Sequence, residues 1–230
     1  MEGLKMQKTL LIWDFDGVLA DSERLWLQIW YDMLVQKRGL KLSEDEVQKY
    51  LVGLSAKTKC AYLNTYFNAE IDEDFISDVH TEEIRQIKTI MQPISGAKDI
   101  VADNAYAHCV ATGGISKLTK LKLEKVGLWQ TYIDEHNCFT SDMVQNGKPA
   151  PDLFLFAAKK MGYKPENCLV IEDSINGIKA ALAAKMRVVA FIGAQNNNNE
   201  SYAKLCKDTG AIAAFNTMPK LHQFLKNNNF

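Results

Sequence analysis

The sequence predicts an α/β protein, a doubly wound parallel sheet with an all-helical domain inserted after its first strand. Three observations carry that expectation. Short unbroken apolar runs (Cys109-Val110-Ala111, Cys168-Leu169-Val170-Ile171 and Val188-Val189-Ala190-Phe191-Ile192) are each followed by turn residues and then by a helical pattern. None of these runs alternates apolar with polar residues, which is the mark of strands covered on both faces. Finally, about ninety residues separate the first such run from the second without a convincing strand, far more than an ordinary connection needs.

In chain order, Thr9 to Trp13 is the first strand and belongs to the same sheet. Leu25, Trp26, Ile29, Trp30, Met33 and Leu34 recur at helical spacing and form one apolar face, with Ser22 as a candidate cap. A second helix follows Ser43, whose spacing to Glu46 makes a capping box. Helical patterns continue over Lys57 to Phe67 and Asp72 to Met91, and Pro93 with Gly96 marks the return to the sheet. Residues 1–20 and 93–230 are therefore expected to form the α/β core, and 21–92 the helical insertion. In the core, helical patterns over Leu118 to Val126, Ile175 to Ala184 and Tyr202 to Cys206 alternate with the strands. Asn196 to Asn199 and Asn227 to Asn229 read as a solvated loop and a frayed C-terminus.

Composition narrows the class of partner. With 27 Lys+Arg against 28 Asp+Glu, the 230-residue chain lacks the basic excess of a protein that coats nucleic-acid polymers or anionic lipid. A small molecule is the expected partner. The longest apolar run, Leu153 to Ala158, falls far short of the ~20 residues that span a bilayer, and Leu10 to Trp13 is too short for a signal-peptide core. Five cysteines are scattered with no CxxC spacing, which predicts reduced, mostly buried thiols in a cytoplasmic protein.

The chemistry gathers at strand ends. Asp14 and Asp16 close the first strand, and Gly17 then lets the chain turn away. Alone, this pattern also suits a turn that caps the next segment. Other strands end in complementary groups: Thr112 and Gly113 follow one, Glu172 and Asp173 another, and Lys148 stands in Gly147-Lys148-Pro149-Ala150-Pro151-Asp152. Several carboxylates at one sheet edge repel one another unless a cation is present, and Mg²⁺ suits oxygen ligands that it bridges to a phosphate. A hydroxyl, a backbone amide and a lysine nearby supply the donors that phosphoryl oxygens require.

Asp14-Phe15-Asp16-Gly17-Val18-Leu19-Ala20-Asp21-Ser22-Glu23, Thr112, Gly147 to Asp152 and Val170-Ile171-Glu172-Asp173-Ser174 resemble, in order and spacing, the four motifs of the haloacid dehalogenase-like hydrolase superfamily. The likeness spans nearly the whole chain, and the insertion resembles the helical cap of the β-phosphoglucomutase and phosphoglycolate-phosphatase branch. The resemblance implies a Rossmann-like core and a cap that sets substrate choice. It implies Asp14 as the nucleophile that forms an aspartyl-phosphate, and Asp16 as the acid that protonates the leaving alkoxide and then deprotonates water. Such a division of labour asks for different settings, a metal on Asp14 and a more apolar surrounding for Asp16. The implied metal shell is Asp14, the backbone carbonyl of Asp16, and Asp173, with Glu172 a ligand or just behind. Thr112, the amide of Gly113 and Lys148 would hold the transferring group. Where many relatives place Ser or Asn after this Thr, Gly113 and Gly114 stand here, so one phosphate contact is expected from backbone alone.

Two departures bear on the reaction. The mutases of the branch carry a His where Trp26 stands, and an Arg after Gly-x-Ser where Ala56 follows Gly53-Leu54-Ser55. A Mg²⁺-dependent phosphatase of a sugar phosphate, sugar-acid phosphate or nucleotide is therefore expected, with a phosphosugar mutase as the alternative and a phosphoacceptor signalling module behind it. Asp16 sets the chain apart from dehalogenases, which lack a second carboxylate to protonate an alkoxide. Gly53, Ser55, Lys57 and Lys59 are candidate cap contacts to an acidic substrate, although the lysines also suit a solvated helix face. Trp26 could stack on a sugar or base, but its place in the apolar stripe favours the core. A monomer or weak dimer is expected.

Overall fold

The first apolar run forms β1 (Leu10–Trp13), and all four of its side chains are fully buried. The computed structural model describes residues 8–51, 56–194 and 198–228, without the side chains of 23, 24, 48–51 and 56–59. It divides into two compact units, one holding the described residues up to Asp21 and from Gln92 onward, the other Ser22–Met91.

In the smaller unit, α1 (Glu23–Asp32) runs on into a π-helical turn over Met33–Lys37. The expected Ser22 cap differs: Ser22 precedes α1 in a helical conformation, and its side chain makes no capping bond. The capping box at α2 (Glu44–Leu51) is formed, with Ser43 N donating to Glu46 Oε2 at 2.8 Å and Glu46 N to Ser43 Oγ at 3.3 Å. After α3 (Ala56–Phe67), Asp72 caps α4 (Glu73–Thr89) by accepting from Phe75 N at 2.8 Å. Trp26 packs on Trp30, ring centroids 5.3 Å apart, against the apolar cluster of Ile29, Leu34, Leu63 and Phe75.

In the larger unit, a turn after β1 leads into β2 (Ala20–Asp21), which pairs antiparallel with β3 (Gln92–Pro93) where the chain returns. These two-residue strands are too short to leave a periodic signal and were not expected. Then follow α5 (Ala97–Val101), β4 (Ala107–Thr112), α6 (Ser116–Lys125), β5 (Cys138–Thr140), α7 (Asp152–Met161), β6 (Cys168–Glu172), α8 (Ile175–Ala183), β7 (Arg187–Phe191), α9 (Glu200–Thr209), β8 (Ala214–Phe215) and α10 (Met218–Asn227). Helix α9 extends beyond its apolar stretch because Asn199, expected in a solvated loop, caps it by accepting from Tyr202 N at 2.7 Å. Asn227 likewise lies in α10 rather than in a frayed tail.

The parallel sheet runs in the order β5-β4-β1-β6-β7-β8. Leu10 and Ile12 face a core completed by α7, α8 and α9, while Leu11 and Trp13, on the other side of β1, are equally buried. Both faces are thus covered, as unbroken apolar strands require. From β1 the chain steps outward through β4 to β5, crosses to the other side, and steps outward again through β6, β7 and β8. Such a reversal opens a crevice at the carboxyl ends of β1 and β6, the place where open α/β sheets take their ligands. No helix among the described residues is long and apolar enough to cross a membrane.

Candidate active site

The β1–β6 ladder delivers the first carboxylate. Asp14 N donates to Ile171 O at 2.9 Å, so hydrogen bonding continues to the last residue before the chain turns. Gly17 turns it at a φ of 78°, and a Cβ there would stand 2.0 Å from Asp173 Oδ2. Glycine is therefore what lets the turn after β1 approach the carboxylate that follows β6. Glu172 and Asp173 end β6 beside it, and one carboxylate oxygen from each of Asp14, Glu172 and Asp173 lies within 4.8 Å of the others. All three residues are buried.

Lys148 enters from the loop before α7. Its Nζ donates to Asp14 Oδ1 at 2.8 Å and to Glu172 Oε1 at 2.7 Å, and lies 4.8 Å from the centre of the Phe154 ring. Glu172 Oε2 accepts from Ser174 N at 2.7 Å and Ser174 Oγ at 3.0 Å, while Ser174 Oγ caps α8 through Gly177 N. A chain of hydrogen bonds thus connects the start of α8 to Asp14 by way of Lys148. Tyr202 of α9 adds a strut by donating to Asp173 O at 2.8 Å.

Thr112 is buried at the end of β4, and its Oγ1 accepts from Gly114 N at 3.2 Å. Gly113 faces open space: a Cβ there would meet nothing within 4 Å. Asp14, Asp16, Thr112, Gly113, Lys148, Glu172 and Asp173 all lie on the carboxyl-end turns of one sheet or on the loop reaching over them. Gly53, Ser55 and the side chains of Lys57 and Lys59 lie outside the described residues.

The electrostatic setting corrects one expectation. The sheltered carboxyl is Asp14, whose side chain is 9% exposed, whereas that of Asp16 is 35% exposed. The reason is position: β1 lies between β4 and β6, so its last residue is walled in, while Asp16 has already passed the strand end. Burial raises the Asp14 carboxyl to about 7 despite the opposing charge of Lys148, with Glu172 and Asp16 adding to the rise. Burial also lowers the Lys148 ammonium, but Asp14 and Glu172 outweigh it and hold that group above the usual lysine range. Sequence reasoning also missed Lys122 of α6, which is buried and donates to Asp16 Oδ1 at 2.9 Å. One signal was available, a lysine four residues after Leu118 on the face that helical periodicity turns inward.

The donor set suits a divalent cation. Asp14, Asp16, Glu172 and Asp173 carry four carboxyl groups against the two ammonium groups of Lys122 and Lys148, which leaves the fully ionised cluster two positive charges short.

The family model for haloacid dehalogenase-like hydrolases matches residues 11–191. The chain belongs to this family. Among the relatives of this hydrolase, a probable pseudouridine-5'-phosphatase of Drosophila melanogaster is 30% identical over 187 residues, covering 79% of this chain and 80% of the relative. A phosphorylated carbohydrates phosphatase of Thermotoga maritima is 27% identical over 212 residues, covering 88% of this chain and 92% of its own. The crystal structure of a HAD family hydrolase from Deinococcus radiodurans, with bound phosphate and sodium, superimposes with a TM-score of 0.77 at 26% identity, covering 97% of both chains.

Proposed function

We propose that this hydrolase is a Mg²⁺-dependent phosphatase of a small phosphomonoester, a sugar phosphate, sugar-acid phosphate or nucleotide, working through an aspartyl-phosphate on Asp14. The observation that carries the reading is the convergence of Asp14, Glu172 and Asp173 with Lys148 at the crevice where the sheet reverses. Phosphatase names on both relatives favour hydrolysis over phosphoryl relocation, as do Trp26 and Ala56, which stand where the mutases carry His and Arg.

Asp14 attacks the phosphorus on the side opposite the ester oxygen, forming its own O–P bond as the P–O ester bond breaks. Asp16 transfers a proton to the departing oxygen, which leaves as the alcohol. The Asp16 carboxylate then takes a proton from water, whose oxygen attacks the phosphoaspartate, releases inorganic phosphate and restores both side chains. Lys148 offsets charge on the phosphoryl oxygens and on Asp14, and the open loop at Gly113 offers its amide beside Thr112. Mg²⁺, held by Asp14, Asp173 and the main-chain carbonyl of Asp16, would neutralise phosphoryl charge and align the group for in-line attack. Both oxygens of Glu172 already accept hydrogen bonds, so its part is to anchor Lys148 and the start of α8.

The test is a screen of phosphorylated metabolites with and without Mg²⁺, followed by Asp14→Asn on the best substrate. Release of inorganic phosphate that requires both Mg²⁺ and Asp14 is expected. Undiminished turnover in Asp14→Asn, or conversion to an isomeric phosphate with none released, would overturn the reading.

A further inference from the structure

Helix α6 buries two polar side chains one turn apart, Thr119 and Lys122, on the face that also buries Leu118 and Leu123. Thr119 backs the loop that follows β4: a Cβ on Gly114 would come within 2.9 Å of its Oγ1. Lys122 reaches across to the loop after β1, 106 positions away in sequence, to meet Asp16, and its side chain is only 10% exposed. An apolar helix face has no need of an ammonium, because methionine would fill the same space without the penalty of desolvating a charge. The lysine adds a charged hydrogen bond to Asp16.

Asp16 needs such a bond more than Asp14 does. Asp14 is walled in by packing, whereas the Asp16 side chain is about a third open to solvent, so the bond from Lys122 bears directly on its orientation. Proton delivery demands that a carboxyl lie about 2.6–3.2 Å from the leaving oxygen. We propose that Lys122 is a positioning residue for phosphoryl transfer: by holding Asp16 Oδ1 it fixes the rotamer of the acid–base group. It thereby ties that group to the helix that follows the phosphate-binding strand β4. The inference rests on the role given to Asp16 above, and Lys122 itself touches neither the phosphorus nor the ester oxygen in this scheme.

A residue that acts only through Asp16 matters only where Asp16 matters. In Lys122→Met, with folding checked by thermal melt, kcat on a sugar phosphate should fall about 10–100-fold, the range expected for a misplaced catalytic group. On p-nitrophenyl phosphate, whose leaving group needs little protonation, the loss should stay within about threefold. Lys122→Gln, which keeps a donor, should lie between Lys122→Met and wild type and gives the same comparison if the methionine variant is unstable. The double variant Asp16→Asn/Lys122→Met should be no slower than Asp16→Asn alone. Equal losses on both substrates, wild-type turnover of the sugar phosphate by both Lys122 variants, or a double variant about tenfold slower than Asp16→Asn would each overturn the proposal. Equal losses in Asp16→Asn itself would instead overturn the role of Asp16, and this inference with it.

Discussion

Replacing Gly177 with alanine probes how the lysine at the centre of the site is held. Gly177 stands in the first turn of α8, and a Cβ on it would lie 1.7 Å from Glu172 Oε1 and 1.9 Å from Glu172 Cδ. Nonbonded atoms settle at about 3.5 Å, so the carboxylate would have to move by more than about 1 Å. Two effects oppose one another. Alanine favours the helix by about 1 kcal/mol relative to glycine. Against this, forcing a buried side chain aside costs about 1–3 kcal/mol, and the Lys148 bond that Glu172 would give up contributes about 1.5–3 kcal/mol. The clash wins, for a net loss of about 2–5 kcal/mol, which for a chain of this size lowers Tm by about 5–15 °C. Thermal unfolding followed by circular dichroism measures it, with Gly147→Ala as the control. A Cβ at Gly147 meets nothing within 4 Å, so that variant should melt close to wild type. Gly177→Ala should also lose turnover, because Lys148 keeps only Asp14 of its two carboxylate partners. A Gly177→Ala protein that melts at or above the wild-type temperature would refute the close approach of α8 to Glu172 and the anchoring role built on it.

Two further outcomes concern pH. Trp13 Nε1 donates to His108 Nδ1 at 3.1 Å while His108 Nε2 faces Asp103 O at 3.0 Å, so only the neutral ring with its proton on Nε2 satisfies both contacts, and burial lowers the His108 pKa accordingly. Since the folded pKa lies below the unfolded one, the native state binds fewer protons; this contribution to stability is complete above about pH 6.5 and is lost as pH falls below it, by at most about 1.4 kcal/mol per pH unit. His108→Asn, which can still accept from Trp13, should show a shallower acid slope in urea unfolding between pH 5 and 7, and identical slopes would contradict the assignment. Because burial raises Asp14 to about 7, a metal must displace a proton there below neutrality. Calorimetry of Mg²⁺ binding should find affinity weakening by up to about tenfold per pH unit below pH 7 and levelling above it, whereas a flat profile from pH 5.5 to 7 would exclude Asp14 as a ligand.

The sheet was legible where strands are long and apolar on both faces, as in β1, β4, β6 and β7. It was not legible in β8, whose two residues carry no period, nor in β5, a three-residue edge strand, and the separate β2–β3 pair was hidden for the same reason as β8. Capping followed the same rule. The box at Ser43 and Glu46 is a local exchange of two hydrogen bonds and could be read directly. Ser22 has the right residue type, but its backbone enters α1 already in a helical conformation, which withholds the side-chain bond. Asn199 looked like part of a polar tract because the cap it provides becomes visible only once α9 is in place.

The sequence by itself determined which carboxylates and which hydroxyl stand at strand ends, because a strand, the turn that closes it and the residue at the turn are near neighbours along the chain. Asp14, Asp16, Thr112, Glu172 and Asp173 were all located in that way, and Lys148 through its Gly147-Lys148-Pro149-Ala150-Pro151-Asp152 loop. Only the tertiary structure decided which aspartate is sheltered, since that depends on β4 and β6 flanking β1 and not on any residue within a few positions of Asp14. It alone also paired Lys122 with Asp16, because helical spacing can turn the lysine inward but carries no signal of its partner, on a loop 106 residues away. Burial and long-range charge pairing are properties of the assembled sheet, and they set how the local chemistry is held.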